Sequence, residues 1–386
     1  MKKLILTAAG ACAAAAAYRL LTPVRAHAWF SEAHKELTES ALELLTKENK
    51  LKQAAFYKPY TKQLLKGCVD PDHDGDPDRG LGTHYYSCAL PKGKPLPQKG
   101  GYYPNRLGDY ARSARTSMEE NYAAAVMLYK NDKPEQAMYA LGRAAHFVED
   151  IACPVHTASM QYKAKPNNPH YAFEKLANNV IGKHRPDRFD KRLLKSWSGV
   201  SFENPLNKLA AASNKHAGVI ARLDPKAFEN AVKEMAPVAA QNVMALLMRF
   251  YDDCRSDTGY MLTDGKRYLL KNEETGLVIT VTAKGLTLVP ADREKEQRLT
   301  FEQSELGSFA LKTAGGGYVK GDLKGYEYPK NGTEASQFRF APLGSGRWRV
   351  TTKTSGYSKV LACGRSGALA VSDFVPGSKS MVWVIV

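Results

Sequence analysis

The sequence predicts two domains in series, an all-helical domain followed by an all-β domain built as a β-trefoil. Three observations carry this. From His34 to about Tyr251 apolar residues recur three and four apart, as in Leu37, Ala41, Leu42, Leu44 and Leu45, which is helical spacing. After Asp257 short apolar alternations appear, punctuated by glycine, such as Val278-Ile279-Thr280-Val281 and Arg347-Trp348-Arg349-Val350, which read as strand and turn. In that second half a weak repeat starts at Tyr268, Phe309 and Trp348, 41 and 39 residues apart, and three such units make a trefoil. A β-sandwich is the alternative. With 386 residues, 44% of them hydrophobic, the chain can bury a core in each domain.

The elements follow in order. Lys2 and Lys3, an apolar run from Leu4 to Ala17, and Ala26-His27-Ala28 have the layout of a signal peptide cleaved before Trp29. The run is too short to span a bilayer. Residues 1–28 are therefore read as signal peptide, 29–257 as the helical domain and 258–386 as the β domain of a secreted or periplasmic protein. The helical faces run through Leu107–Leu128, Ala137–Ile151 and Phe228–Phe250. Between Asp70 and Arg106 the pattern breaks into a long Asp-, Gly- and Pro-rich loop, the kind of segment that carries function. Past the signal the cysteines are Cys68, Cys88, Cys153, Cys254 and Cys363; Cys68 and Cys88, flanking one loop, are disulfide candidates. The net charge is +16, and residues 259–386 hold 18 Lys+Arg against 12 Asp+Glu. Such a charge suits anionic polymers and anionic membranes equally.

Histidine is scarce, nine in the chain, yet five fall into one ligand-like pattern. His146 and Asp150 are four apart and share a helix face. Pro154 ends that helix, so His156 can turn back toward the same space. His170 and Glu174 are again four apart. His84 sits in the long loop after Asp70, and His34 follows the new N-terminus. Histidines and carboxylates without a close cysteine pair favour a catalytic zinc site over a structural one. His73, His184 and His216 fit no such spacing and are read as structural.

These residues resemble the bacterial zinc-dependent phospholipases C, the clostridial alpha-toxin and Bacillus phosphatidylcholine-hydrolysing type. The resemblance covers about residues 29–253. It rests on His-x3-Asp-x5-His at His146, Asp150 and His156, thirteen intervening residues, then His-x3-Glu at His170 and Glu174, with Trp at position 29. It implies three zinc ions per chain. Trp29, His34 and Asp150 would hold one; Asp70, His84, His146 and the shared Asp150 a second; His156, His170 and Glu174 the third. It also implies hydrolysis of the glycerol–phosphate ester of phospholipids at a membrane surface, with Asp70 as general base. A phosphodiester is anionic and repels nucleophiles, and zinc ions offset that charge and activate water. Separately, the stretch around Phe309 resembles fascin-like and ricin-like trefoils, so the β domain is expected to bind membrane or carbohydrate.

Other readings stand beside this one. Asp70-Pro-Asp72-His-Asp74-Gly75-Asp76-Pro-Asp78 looks like the start of a calcium loop, but its twelfth position is Leu81 rather than Glu. Either Asp72 replaces Asp70 as ligand, or the Asp70–Asp78 loop holds Ca²⁺. For the headgroup, Glu32 occupies the family's acidic position, while Pro71 and Leu81 stand where choline-recognising members have aromatics; Tyr85, Tyr86, Tyr102 and Tyr103 on the same loop are either substitutes for them or packing residues. The alternative function is a single-strand-specific zinc nuclease, with nucleic acid as partner. The short segment between His156 and His170 favours the phospholipases. Since every ligand candidate precedes Asp257, residues 29–257 are expected to carry the chemistry alone.

Overall fold

The computed structural model describes residues 31–79, 82–86, 112–256 apart from 159, 161, 162, 199 and 200, and 262–386 apart from 284, 293–294, 305, 330–334, 354–358, 365–366 and 376. It also gives the backbone pairing of β1 (Tyr103–Pro104) with β2 (Tyr110–Ala111). The expected signal peptide, Trp29, Leu81, Cys88 and Tyr102 lie outside the described residues.

The helical domain contains α1 (Ser31–Lys47), α2 (Thr61–Gly67), α3 (Ala114–Lys130), α4 (Pro134–Ala152), α5 (Pro154–Thr157), α6 (Pro169–Val180) and α7 (Pro225–Asp253), with further helices, among them Leu51–Tyr57 and Glu203–Asn214, between them. At its centre is α4, where every residue from Ala137 to Ala152 except Tyr139 is buried. Apolarity around its circumference suits a helix enclosed on all sides. Pro134 starts it, and Cys153, held extended (φ −84°, ψ 118°) by the following Pro154, ends it. Pro154 then opens α5, which carries His156 back toward α4. Asn168 caps α6, its side chain accepting from the Tyr171 N–H at 3.1 Å. Helix α2 crosses α4 at a pair of glycines. A Cβ on Gly142 would overlap the Leu64 carbonyl oxygen, and one on Gly67 the Tyr139 carbonyl oxygen. This close approach places Cys68 and the loop beyond it against the His146 end of α4.

The β domain is a trefoil, as the repeat predicts. The first barrel strand comes as two segments, β3 (Arg267–Tyr268) and β4 (Leu270–Asn272); the others are β7 (Leu299–Gln303), β8 (Phe309–Lys312), β11 (Gln337–Gly344), β12 (Arg347–Thr352) and β15 (Trp383–Ile385). Antiparallel pairing runs β3–β7–β8–β11–β12–β15–β4 and so closes a ring. Each repeat inserts a hairpin: β5 (Val278–Thr282) with β6 (Gly285–Val289), β9 (Tyr318–Val319) with β10 (Tyr326–Glu327), and β13 (Lys359–Cys363) with β14 (Leu369–Asp373). Phe301, Phe309, Phe340, Trp348 and Trp383 fill the barrel. In the third copy Trp383 is the inward residue, while Val382 and Val384 are only half-buried.

The two domains share a wall. All of α3 from Ala114 to Leu128 is buried, one side against α4 and the other against the trefoil. Ala123 and Met127 belong to the trefoil's apolar cluster, and Gly307 lies so close to Ala124 that a Cβ there would clash. Ser113 and Thr116 cap α3 reciprocally, through Ser113 N–H to Thr116 Oγ1 at 2.8 Å and Thr116 N–H to Ser113 Oγ at 3.3 Å. No described helix is long and apolar enough to cross a membrane.

Candidate metal centre

Five histidines and four carboxylates converge in the interior. His34 comes from α1, His84 from the loop before α3, His146, Glu149 and Asp150 from α4, His156 from α5, His170 and Glu174 from α6, and Asp72 from the loop after α2; all are fully buried. Backbone carbonyls orient three of the rings. His146 Nδ1 lies 2.9 Å from the Cys68 carbonyl oxygen, His156 Nδ1 2.6 Å from that of His84, and His170 Nδ1 2.5 Å from that of Met160. With Nδ1 donating, each Nε2 is left as a lone-pair ligand. His34 is oriented instead by Glu149, whose Oε2 is 2.6 Å from Nδ1 and whose Oε1 accepts from Thr38 Oγ1 at 2.7 Å.

Around Asp72 the ligand atoms face one another at spacings too long for hydrogen bonds and suited to a shared ion. Asp72 Oδ2 is 3.7 Å from His34 Nε2, and Asp72 Oδ1 is 3.7 Å from His84 Nδ1 and 3.9 Å from His146 Nε2. Two ligands ~2.0–2.1 Å from one tetrahedral zinc lie roughly 3.3 Å apart. Asp150 divides its oxygens, Oδ1 3.9 Å from His34 Nε2 and Oδ2 2.9 Å from His84 Nδ1 and 3.3 Å from His146 Nε2. On the other side Glu174 Oε1 lies 2.7 Å from His170 Nε2 and 3.4 Å from His156 Nε2. Three groups result that could each hold a metal: His34, His146 and Asp150; Asp72, His84 and His146; Cys153, His156 and Glu174.

Buried polar atoms with no hydrogen-bond partner test the fit. His34 Nε2, both oxygens of Asp72, His84 Nε2, Asp150 Oδ1 and Glu174 Oε2 are in this condition, and all but one are acceptors by nature or face the carboxylates. Leaving so many unsatisfied would be costly unless cations complete them. The residues therefore fit zinc. Without metal, burial pushes the Asp72 carboxyl up to about 7 despite His146 and His84. Burial lowers His146, but Asp150 and Asp72 outweigh it and hold the imidazole at about 9. Burial raises Asp150 too, yet His146, His84 and His156 bring it well below the usual carboxylate range.

Among the residues expected from sequence, His34, His84, His146, Asp150, His156, His170 and Glu174 are brought together. Asp70 is not: its Oδ2 accepts from Tyr139 at 2.7 Å and from Lys66, and Asp72 stands among the histidines instead. The aspartates that suggested calcium have other partners. Asp76 is held bidentately by Arg143 at 2.5 and 2.6 Å, Asp78 by several arginines, and Asp74 by Arg79. Glu32 is exposed in the first turn of α1. Tyr85 is buried, its ring stacked on His156 at 4.9 Å and its hydroxyl donating to Met160 O, and Tyr86 bonds Asn207. Motif spacing does not single out Glu149, because the His-x3-Asp-x5-His pattern does not include it. Its only signal is the consecutive Glu149-Asp150 pair inside a helix that is otherwise mostly apolar around them.

The family model for zinc-dependent phospholipase C matches residues 33–237, just over half of the chain. A phospholipase C of Bacillus cereus is 20% identical over 203 residues, covering 51% of this chain and 64% of that protein. A phospholipase C of Listeria monocytogenes is 26% identical over 163 residues, covering 41% and 50%. The chain thus spans about half to somewhat under two thirds of these relatives. An alpha-toxin structure from Clostridium perfringens aligns over 89% of this chain and 96% of that one, at 13% identity and a TM-score of 0.46. Through its helical domain, the chain belongs to the zinc-dependent phospholipase C family.

Proposed function

We propose that the protein is an exported phospholipase C that hydrolyses the glycerol–phosphate ester of phospholipids, releasing diacylglycerol and a phosphorylated headgroup. The observation that carries this is the set of buried, unpartnered acceptors on His34, Asp72, Asp150 and Glu174, in a chain of this family. Three zinc ions are proposed. The first would be held by His34, Asp150 and the mature N-terminal Trp29; the second by Asp72, His84, His146 and Asp150; the third by His156, His170 and Glu174, with Cys153 beside them. When bound, zinc would neutralise the diester and activate the attacking water.

The chain's own residues do the rest. Asp150 spans two groups of ligands and so sets their spacing. Asp72 takes the role expected of Asp70, orienting the water and accepting its proton; both of its oxygens are buried without a hydrogen-bond partner. Water oxygen bonds to phosphorus, the phosphorus–glycerol oxygen bond breaks, and the leaving alkoxide takes a proton. Glu149 keeps His34 aimed inward. The trefoil, with its excess of Lys and Arg, is proposed to hold the enzyme at an anionic membrane.

The test is a panel of phospholipids, as short-chain monomers and as liposomes, alongside single-stranded DNA. Cleavage of lipid and not DNA is expected. Cleavage of DNA alone would replace this reading with the nuclease. Glycan binding without liposome binding would make the trefoil a lectin.

A further inference from the structure

The trefoil reaches the metal centre through one buried ion cluster. On β11 the side chains alternate, Phe338 and Phe340 into the barrel and Arg339 outward. An outward arginine on a barrel strand normally meets water, yet Arg339 is buried, as are its neighbours Thr351 and Arg349 on β12. They abut the start of α3. Arg339 Nη1 donates to Asp78 Oδ1 and lies 3.5 Å from Glu120 Oε2; Arg112 Nη2 bridges the same two carboxylates at 2.8 and 3.0 Å. Thr351 Oγ1 donates to Glu120 Oε1 at 3.4 Å, and Arg349 Nη2 lies 3.5 Å from Glu119 Oε2.

Asp78 is also the node of the loop that delivers two metal-site residues. Its Oδ2 accepts from Arg143 at 2.6 Å and Asn121 at 3.0 Å, and its carbonyl oxygen accepts from Thr83 Oγ1 at 2.6 Å. Thr83 immediately precedes His84, and Asp72 lies six residues before Asp78. Arg143 is one turn from His146 on α4 and clasps Asp76 as well. Arg339 is thus the trefoil's contribution to a clamp that fixes the Asp72–His84 loop against the ligand helix.

We propose that Arg339 is a positioning residue for the metal site: the β domain tunes zinc retention by locking Asp78, independently of any membrane binding. Buried charge networks act as units, so removing one guanidinium leaves Asp78 and Glu120 undercompensated, and the loop carrying Asp72 and His84 loosens. This rests on the ligand reading above.

The test uses the zinc-loaded full-length protein and Arg339→Ala, Arg339→Lys, Arg347→Ala and Met127→Ala. Zinc release to an excess of a chromogenic chelator is followed, with melting temperature measured in parallel. Arg347 is an exposed trefoil residue; Met127 loosens the domain interface while leaving the clamp intact. Arg339→Ala should release zinc about 10-fold faster, the low end of the range for an outer-shell partner, because Arg339 acts through Asp78 rather than on a ligand itself. Arg339→Lys should recover part of that, and Arg347→Ala none of the defect. Wild-type release from Arg339→Ala, or equally fast release from Met127→Ala at the same loss of melting temperature, would overturn the proposal. If Arg339→Ala does not fold, Arg339→Lys decides: wild-type release from it overturns the proposal, and intermediate release supports it. A wild-type protein that holds no zinc would instead overturn the ligand reading.

Discussion

Replacing Glu149 by alanine tests whether a residue that touches no expected substrate governs the metal. Glu149 is fully buried and makes two bonds, 2.6 Å to His34 Nδ1 and 2.7 Å from Thr38 Oγ1. Its loss frees the His34 ring to rotate and lets Nδ1 compete with Nε2 as ligand. Outer-shell partners of this kind are worth about 10–100-fold in metal affinity, or about 1.4–2.7 kcal/mol. The metal-free fold also loses partners for two buried groups, about 1–3 kcal/mol each. Part of that is returned, because burial pushes the Glu149 carboxyl well above its ordinary range, so it is itself a strained guest in the metal-free interior. A net loss near 2 kcal/mol lowers the melting temperature by roughly 4–8 °C in a domain of this size. Glu149→Gln keeps an oxygen for His34 and should lose less than about 10-fold in affinity. The assay is zinc content by elemental analysis after dialysis against graded free zinc, with melting curves of zinc-free protein alongside. If Glu149→Ala binds zinc as tightly as wild type while melting earlier, Glu149 is a packing residue and the orientation argument fails.

Other outcomes follow from the same geometry. Asp72→Asn should lose zinc and activity, whereas Asp70→Asn, which disturbs contacts to Lys66, His73 and Tyr139 and none to the metal ligands, should retain both; elemental analysis with a monomeric-lipid assay checks this, and the reverse order would restore Asp70. Gly142→Ala should destabilise by about 1–3 kcal/mol through overpacking, because its Cβ must push α2 off α4, and should loosen zinc by moving the Cys68 carbonyl from His146; unchanged denaturant midpoints would refute it. Asp78 gives a pH dependence. Burial alone would raise its carboxyl, but Arg339, Arg112 and Arg143 hold it well below the ordinary range. A depressed carboxyl contributes stability that is complete above its unfolded value of ~3.9 and fades only as pH falls through the folded value. The melting deficit of Arg339→Ala should therefore stay level from about pH 8 to about pH 5 and narrow only in stronger acid; a deficit that vanishes near pH 6 would contradict it.

Much was legible before any coordinates. Helical period, the strand texture and the repeat near 40 residues determine the two architectures, because backbone geometry imposes periods that apolar residues must match. The ligands on α4 and α6 were legible for the same reason: spacing of four puts His146 beside Asp150 and His170 beside Glu174. Loops have no period, and there the reading needed the third dimension. Asp70 and Asp72 are equivalent as letters, two residues apart in a turn. Only packing of α2 on α4 turns Asp72 inward and leaves Asp70 to Lys66 and Tyr139. Glu149 acquires its role from Thr38 and His34 on another helix, more than a hundred residues away. How residues 29–257 meet the trefoil is a matter of the same kind. The change of period at Asp257 marks where one architecture stops, but it carries no information about which faces of the two meet. Arg339 reads in sequence as a solvent-facing alternation in a strand. Burial against α3, beside carboxylates of a loop more than two hundred residues earlier, converts it into part of the support for a metal site, because charges brought out of water together depend on one another far more than the same charges apart.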